Sequence, residues 1–356
     1  MKASFFRLGM LEGPRRAVVK TTQLQPLEAN EILLKLEVCN ICTADFNKWN
    51  GSREGKYPLA DGHEFCGIVV EKGSSVPEDY PKIGERVGFC TQRSCGYCPK
   101  CLEGKSDECM NFMKLAVKKW DDGYPGNHGF GQYTAIDWRY AVRLPLDIPA
   151  EEAAFLEPAA TVVRGLRRID VRPEDTVAVI GLGTMGMLNA QIARAFGARV
   201  IVSDLSAKKL ERARAAGFKY IVDASSEDPV ETVKRFTEGV GADKVVVTAG
   251  VDIAFKQAFG MITKSFGSVL FFAANFPPPR MDIQPNDIHY RKMKLVGTLG
   301  AGMSDFHLAA RMIADRQINC KLCLEGRTFP LEQLQEAYEA ACERDAYRIS
   351  VKLNDT

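Results

Sequence analysis

Two rhythms of apolar and polar positions divide the chain. Up to about residue 145, short alternating segments such as EILLKLEVCN (31–40), FCGIVVEKG (65–73) and GERVGFCT (84–91) are broken by glycines and turn residues. A period of two puts one face in a core and the other outward, so this part predicts a twisted antiparallel β domain. LPLDIPAEEAAF (144–155) carries two prolines and then turns helical. From about 170, continuous apolar runs alternate with helical patterns. VAVIGLG (177–183) leads into TMGMLNAQIARAFG (184–197), which stops at Gly197. ARVIVSD (198–204) leads into SAKKLERARAAG (206–217), with Ser206 as N-cap and Gly217 as stop. Further strands are predicted at 220–223, 244–248, 268–273 and near 293–298, with a helix near 228–238 and another in IAFKQAFGMIT (253–263). Strand–helix alternation with short linkers predicts an α/β fold with a doubly wound parallel sheet. The tail holds two amphipathic helices (305–316 and 331–344) and a last strand, YRISVKL (347–353), and is expected to return to the first domain. The expected division is 1–150, 151–295 and 296–356, with FPPPR (276–280) as a rigid loop.

Composition narrows the function classes. Of 356 residues, 46% are hydrophobic and 26% charged, which excludes bulk disorder. No apolar run approaches the roughly 18 residues of a membrane helix, and the opening MKASFFRLGMLEGPRR has no sustained apolar stretch, so neither a membrane span nor a secretory leader is expected. Lys+Arg (47) nearly cancels Asp+Glu (45), so no nucleic-acid footprint is expected. The 11 cysteines are odd in number and partly clustered, which reads as a metal protein of the cytoplasm rather than a disulfide scaffold.

Gly181-Leu-Gly183-Thr184-Met185-Gly186 closes a strand and opens a helix, and Asp204 closes the next strand. That context predicts dinucleotide binding. Gly181 makes the tight turn, Gly183 admits the pyrophosphate, Gly186 packs helix on strand, and the helix N-terminus faces the phosphates. Asp204 would accept from the adenosine ribose hydroxyls and repel a 2′-phosphate, so NAD is expected over NADP. Lys208 and Lys209 nearby read as a solvated helix face. Cys95, Cys98, Cys101 and Cys109 lie within one polar, glycine-containing loop, a spacing that suits a closed tetrahedral, structural zinc site. Cys90 just upstream reads as a strand residue, and Cys320 with Cys323, lacking a second pair, as buried. Cys42 in NICTAD, Gly62-His63-Glu64 and Glu157 in FLEPAA are dispersed, and each alone has an ordinary structural reading.

Taken in order, NICTAD (40–45), GHEFCGIV (62–69), CGYCPKCLEGKSDEC (95–109), GQYTAI (131–136), FLEP (155–158), VIGLGTMG (179–186) and VSDLS (202–206) resemble the zinc-dependent medium-chain alcohol/polyol dehydrogenases over essentially the whole chain. FLEP and DIHYRKMKLVGTLG (287–300) resemble the sorbitol and threonine dehydrogenase branch. The resemblance implies a GroES-like β domain beside a Rossmann domain, with the active site in the cleft between them, a catalytic and a structural zinc, NAD, and a homodimer or homotetramer. It implies Cys42 and His63 as ligands of the catalytic zinc, Glu64 as ligating or standing just behind, Glu157 as ligating directly or holding the zinc water, and Asp45 as orienting the zinc histidine. One departure stands out: the family places Ser or Thr two residues after the ligand cysteine to relay the substrate proton, and this chain has Ala44 there, with Thr43 one residue early. The proton then leaves through zinc-bound water, Glu157 or the ribose hydroxyls. Arg348 could reach a cofactor phosphate or be a surface charge, and Trp49, Phe112 and His289 stay unassigned. The expected activity is hydride transfer between NAD(H) and a secondary alcohol of a polyol or sugar derivative. The alternatives are an NADPH-dependent aldehyde/ketone reductase and a non-enzymatic zinc- and nucleotide-binding protein.

Overall fold

The computed structural model describes residues 5–115, 120, 122–275 and 277–354. Residues 1–4 of the opening stretch and Phe276 of the 276–280 loop lie outside them. The chain forms two compact units, one of Met1–Ala160, Gly300–Asp315 and Leu324–Thr356, the other of Thr161–Leu299 and Arg316–Cys323.

The first unit contains strands β1 (Phe5–Gly13), β2 (Arg16–Gln23), β3 (Glu31–Asn40), β4 (Glu64–Lys72), β5 (Arg86–Phe89), β6 (Tyr133–Asp137) and β7 (Ala141–Leu144). The second contains β8 (Thr176–Ile180), β9 (Arg199–Asp204), β10 (Tyr220–Asp223), β11 (Lys244–Val247), β12 (Ser268–Phe271) and β13 (Lys294–Gly297). Strands β14 (Leu324–Pro330) and β15 (Arg348–Lys352) belong to the first unit again. There β1 and β2 form a hairpin, and a seven-stranded sheet runs β14-β15-β3-β4-β5-β7 with β6 also on β3. β15 joins it by antiparallel pairing, Val351 opposite Cys39. The antiparallel expectation meets one exception, since β14 and β15 run parallel.

The alternating apolar positions line one core in this unit, but β3 and β5 are buried on both faces rather than facing outward on one. Leu34, Leu36, Phe65, Val69, Val87 and Ile349 pack with Leu334, Ala337 and Tyr338 of the helix Leu334–Ala341 in one core. Trp49 is part of it, stacked on Tyr338 with centroids 5.8 Å apart. That helix is shorter than the 331–344 pattern suggests, because Leu331–Gln333 is a separate 3₁₀ turn. The other tail helix, Met303–Ala314, starts two residues early: Asp305 reaches back to accept the N–H of Gly302 at 3.1 Å and fixes the start there.

A buried ion pair ties the sheet together. Arg86 on β5 donates Nε and Nη2 to the Glu37 carboxylate on β3 at 2.7 and 2.8 Å, and Nη1 to the carbonyls of Pro145 and Ile148 at 2.8 and 2.6 Å. Glu37→Gln is expected to destabilise this unit by about 1–3 kcal/mol, because it leaves the guanidinium with carbonyls alone. All three tryptophans (49, 120 and 138) lie in this unit, so the midpoint of their fluorescence change in urea measures it selectively. An unshifted midpoint would show the pair to be energetically silent.

The second unit is a six-stranded parallel sheet in the order β10-β9-β8-β11-β12-β13, reversing at β8/β11. All six strands fall where the apolar runs place them. β12 is shorter than expected, because the N–H groups of Phe272 and Ala273 both turn to the Val247 carbonyl. Val179, Val202, Val222, Val246 and Val269 are almost wholly buried, as strands covered on both faces require. Helix Thr184–Ala195 is followed by Phe196 and then Gly197 at φ +93°, and helix Ala207–Ala215 by Ala216 and Gly217 at φ +79°, the left-handed exit that glycine accepts without strain. Ser206 sits at its N-cap position but its hydroxyl makes no capping bond. Cys320 and Cys323 are buried in a 3₁₀ turn, whose Asn319 N–H donates to Gln191 Oε1 at 2.8 Å.

Candidate active site

Strand β3 delivers Cys42 two residues past its end, at the N-cap of helix Thr43–Trp49. The sulfur accepts the Ala44 N–H at 3.5 Å, and Asp45, at the third helical position, accepts the Cys42 N–H at 3.2 Å. This is a capping box built with a thiol, so the local helix start fixes both Cys42 and Asp45. His63 stands immediately before β4. Its Nδ1 lies 3.5 Å from Asp45 Oδ1, and Asp45 is only 1% exposed. Cys42, His63 and Glu64 present donor atoms within 4.8 Å of one another.

Glu64 is fully buried, and both its oxygens are taken. Arg348 on β15 donates Nε to Oε2 at 2.8 Å and Nη2 to Oε1 at 2.6 Å. The same guanidinium donates to Thr43 Oγ1 at 3.3 Å and Cys42 Sγ at 3.6 Å. Arg348 is thus neither a surface charge, at 6% exposure, nor turned to a phosphate; its donors go to the cysteine–glutamate cluster. Thr43's hydroxyl accepts from Arg348 Nη1 and keeps its own proton to donate. Glu157, near the start of helix Leu156–Arg168, stands outside the group of three but close enough for the charges of His63, Glu64 and Arg348 to act on it. Burial pushes its carboxyl up to about 7, Glu64 adding to the rise and His63 and Arg348 opposing it.

Both donors, Cys42 and His63, hold their protons more tightly than usual. Burial, with the charge of Glu64, pushes the Cys42 thiol up, against the pull of Arg348 and His63. Burial opposes a proton on His63, but Asp45 and Cys42 outweigh it and lift the imidazole well above its usual value. A divalent ion held by the sulfur and the other imidazole nitrogen would displace these protons, and Asp45 on Nδ1 would fix the ring for it. One sulfur, one imidazole and nearby carboxylate oxygen is a donor set that zinc accepts.

The second cluster is all sulfur. The thiols of Cys95, Cys98, Cys101 and Cys109 lie within 4.8 Å of one another. N–H groups are aimed at them: Cys98 N and Asn111 Nδ2 donate to Cys95 Sγ at 3.3 and 3.4 Å, and Cys95 N donates to Cys109 Sγ at 3.3 Å. Burial opposes thiolate at Cys95, yet these donors bring its thiol down to about 6. Such N–H···S contacts are what a tetrathiolate metal site needs to stabilise its charge. Cys90 lies one residue past β5, fully buried.

In the second unit the Gly181–Gly186 loop joins β8 to helix Thr184–Ala195. Gly181 has φ +91°, and the Thr248 hydroxyl meets the Ile180 and Gly181 carbonyls at 2.9 Å each. A methyl group on Gly183 would meet nothing within 4 Å, leaving the backbone open to a close ligand. On Gly186 it would lie 1.8 Å from the Gly181 carbonyl oxygen. Thr184 is buried, its hydroxyl towards the Cys323 carbonyl at 3.5 Å, which leaves backbone N–H groups as its means and that of Met185 to meet a phosphate. Asp204, at the end of β9, accepts the N–H of Leu182 at 2.6 Å and of Ser206 at 2.8 Å. Its carboxylate braces the glycine loop and keeps lone pairs for a ribose.

Two charged residues at the metal cluster were not singled out from the sequence. Lys48 lies on the helix that Cys42 caps, and Asp61 lies two residues before His63. Neither has a local signature: Lys48 stands between Asn47 and Trp49-Asn50, and Asp61 just before Gly62-His63-Glu64.

Two family models match the chain: the alcohol dehydrogenase GroES-like domain over residues 28–146 and the zinc-binding dehydrogenase over 184–315. The L-threonine 3-dehydrogenase of Rhizobium rhizogenes is 30% identical over 290 residues, 80% of each chain. The L-galactonate-5-dehydrogenase of Escherichia coli is 29% identical over 328 residues, 92% of each chain. Among solved structures, a Sinorhizobium meliloti protein described as a zinc-binding dehydrogenase and bound to NADP superposes with a TM-score of 0.86 at 27% identity, covering 98% of this chain and 99% of that one.

Proposed function

The chain belongs to the zinc-dependent medium-chain alcohol/polyol dehydrogenase family, and we propose that it oxidises a secondary alcohol of a polyol or sugar derivative with NAD, using one catalytic and one structural zinc. The observation that carries this reading is the convergence of Cys42, His63 and Glu64 with Asp45 on the imidazole. Sorbitol and L-galactonate dehydrogenases among the relatives support the substrate class.

We assign Cys42, His63 and Glu157 to the catalytic metal. Glu64 stays behind it, its charge cancelled by Arg348. Zinc held there would supply Lewis acidity to an alcohol oxygen, and a nicotinamide cofactor would supply the hydride acceptor. The chain's residues set the rest. Asp45 fixes the imidazole. Arg348 with Glu64 makes a neutral floor, which leaves Cys42 and Glu157 to face the cation. With Ala44 carrying no hydroxyl, Thr43 and the Glu157 carboxylate are the groups of this chain that could take the substrate proton. Cys95, Cys98, Cys101 and Cys109 would hold the second zinc with no open position. A cytoplasmic homodimer or homotetramer fits the cysteine content and the family.

In the second unit Gly181, Gly183, Thr184, Met185 and Gly186 would receive the pyrophosphate and Asp204 the ribose. Asp204→Ala is expected to raise the KM for NAD about 10- to 100-fold, since a charged hydrogen-bond acceptor is lost, and to narrow the gap between NAD and NADP. A wild type that prefers NADP would overturn the cofactor assignment. The test of the whole reading is reduced-cofactor formation from polyols, sugar acids, amino alcohols and simple alcohols, with NAD and NADP in parallel, on protein whose zinc has been counted. Turnover confined to simple primary alcohols, or a chain holding zinc only at the four cysteines, would refute it.

A further inference from the structure

Two carboxylates crowd the histidine of the metal cluster. Asp45, Asp61 and His63 bring donor atoms within 4.8 Å of one another. An imidazole that ligates a metal through one nitrogen has a single N–H to give, and two buried anions beside it repel each other. Asp45 is built to receive that N–H. Its Oδ2 is anchored by the Cys42 N–H, and its Oδ1, buried, makes no hydrogen bond among the described residues and lies 3.5 Å from His63 Nδ1. Asp61 is occupied elsewhere. Its Oδ2 is in direct ion-pair contact with Lys48 Nζ, and its Oδ1 accepts from Asn127 Nδ2 at 3.2 Å. Both side chains of the pair are largely sheltered, at 19% and 16% exposure, where such a contact is only partly screened. Lys48 is held in place in turn: its carbonyl accepts the Tyr57 hydroxyl at 2.6 Å, and it lies on the same short helix as Cys42 and Asp45.

We propose that Lys48 is a positioning residue for the catalytic metal: its ion pair with Asp61 keeps that carboxylate off His63 and leaves Asp45 as sole acceptor for Nδ1. The local sum of Asp45, Asp61 and Lys48 is one negative charge, matched to one imidazole. Without Lys48 the sum is two, and Asp61 competes for the same N–H, turning the ring from the metal. Lys48 touches neither metal nor substrate. The inference rests on the assignment of Cys42 and His63 to the catalytic zinc.

The test follows zinc release from the intact holoprotein to a chromogenic chelator. The four-cysteine zinc serves as internal control, and Cys42→Ser identifies the catalytic-site phase. Lys48→Met is expected to accelerate that phase about tenfold or more, the scale of effects behind metal-bound histidines, and to leave the four-cysteine phase unchanged. Lys48→Arg should keep the wild-type rate, because the positive charge remains. In Lys48→Met/Asp61→Asn the competing charge is gone, and the rate should return to within about threefold of wild type, an interaction visible only as a double-mutant cycle. An unchanged catalytic phase in Lys48→Met overturns the proposal. So does acceleration of both phases, which signals general loosening, and so does a double variant that is not rescued, which makes Lys48 a packing residue. A wild type that carries zinc only at the four cysteines would instead sink the catalytic-zinc assignment itself.

Discussion

Cys42→Ser is expected to lower kcat/KM for every alcohol substrate by about 10³-fold or more, because the Lewis acid at the reacting oxygen contributes several kcal/mol and each 1.36 kcal/mol is worth a factor of ten. Serine makes this a clean test. Cys42 is also an N-cap whose sulfur accepts the Ala44 N–H, and a serine hydroxyl serves that role at least as well. The helix carrying Asp45 and Lys48 should therefore keep its start, and the fluorescence-detected unfolding midpoint should barely move. What changes is the donor: a neutral hydroxyl replaces a thiolate, so on the proposed two-site reading the zinc of this pocket should be lost while that of the four-cysteine loop stays. Turnover within a few-fold of wild type would remove the catalytic metal from this pocket. Loss of both zincs would show that the effect is not local.

The sequence made some of this visible and hid the rest for physical reasons. Strands β8 to β13 were legible because a parallel sheet covered on both faces leaves unbroken apolar runs, and the glycines after the helices at 184–195 and 207–215 mark their exits. The four cysteines were legible because their ligand geometry is local. Cys42 and His63 have no local signature and were found through family resemblance. Arg348 was placed on neither of its two sequence readings, because its partner Glu64 lies 284 residues away and is brought to it by the antiparallel seating of β15 on β3 and of β3 on β4. The pair Lys48–Asp61 was invisible for the same reason on a smaller scale. Thirteen residues separate them, and the contact depends on the loop before β4 folding back on the helix that Cys42 caps.

Arg348→Met is expected to destabilise the first unit by about 3–5 kcal/mol, the cost of stripping one partner from a fully buried pair. Glu64 is wholly buried, and Arg348 donates to both its oxygens, so the substitution strands a carboxylate beside the Cys42 sulfur. Arg348→Lys should rescue little, because an ammonium is a point charge and cannot reproduce two parallel bonds while also reaching Thr43. Arg348→Met/Glu64→Gln should recover most of the loss, since the stranded charge disappears with its partner. Urea midpoints read from the three tryptophans of this unit check all three variants. The same variant also decides between this role and the phosphate contact that the sequence allowed. A cofactor contact would raise the KM for NAD and leave the unfolding midpoint in place. A buried floor for the metal pocket shifts the midpoint, because the substitution strands the Glu64 carboxylate without its partner. A KM effect with no change in stability would return Arg348 to the phosphate and leave the neutralisation of Glu64 without a residue to perform it.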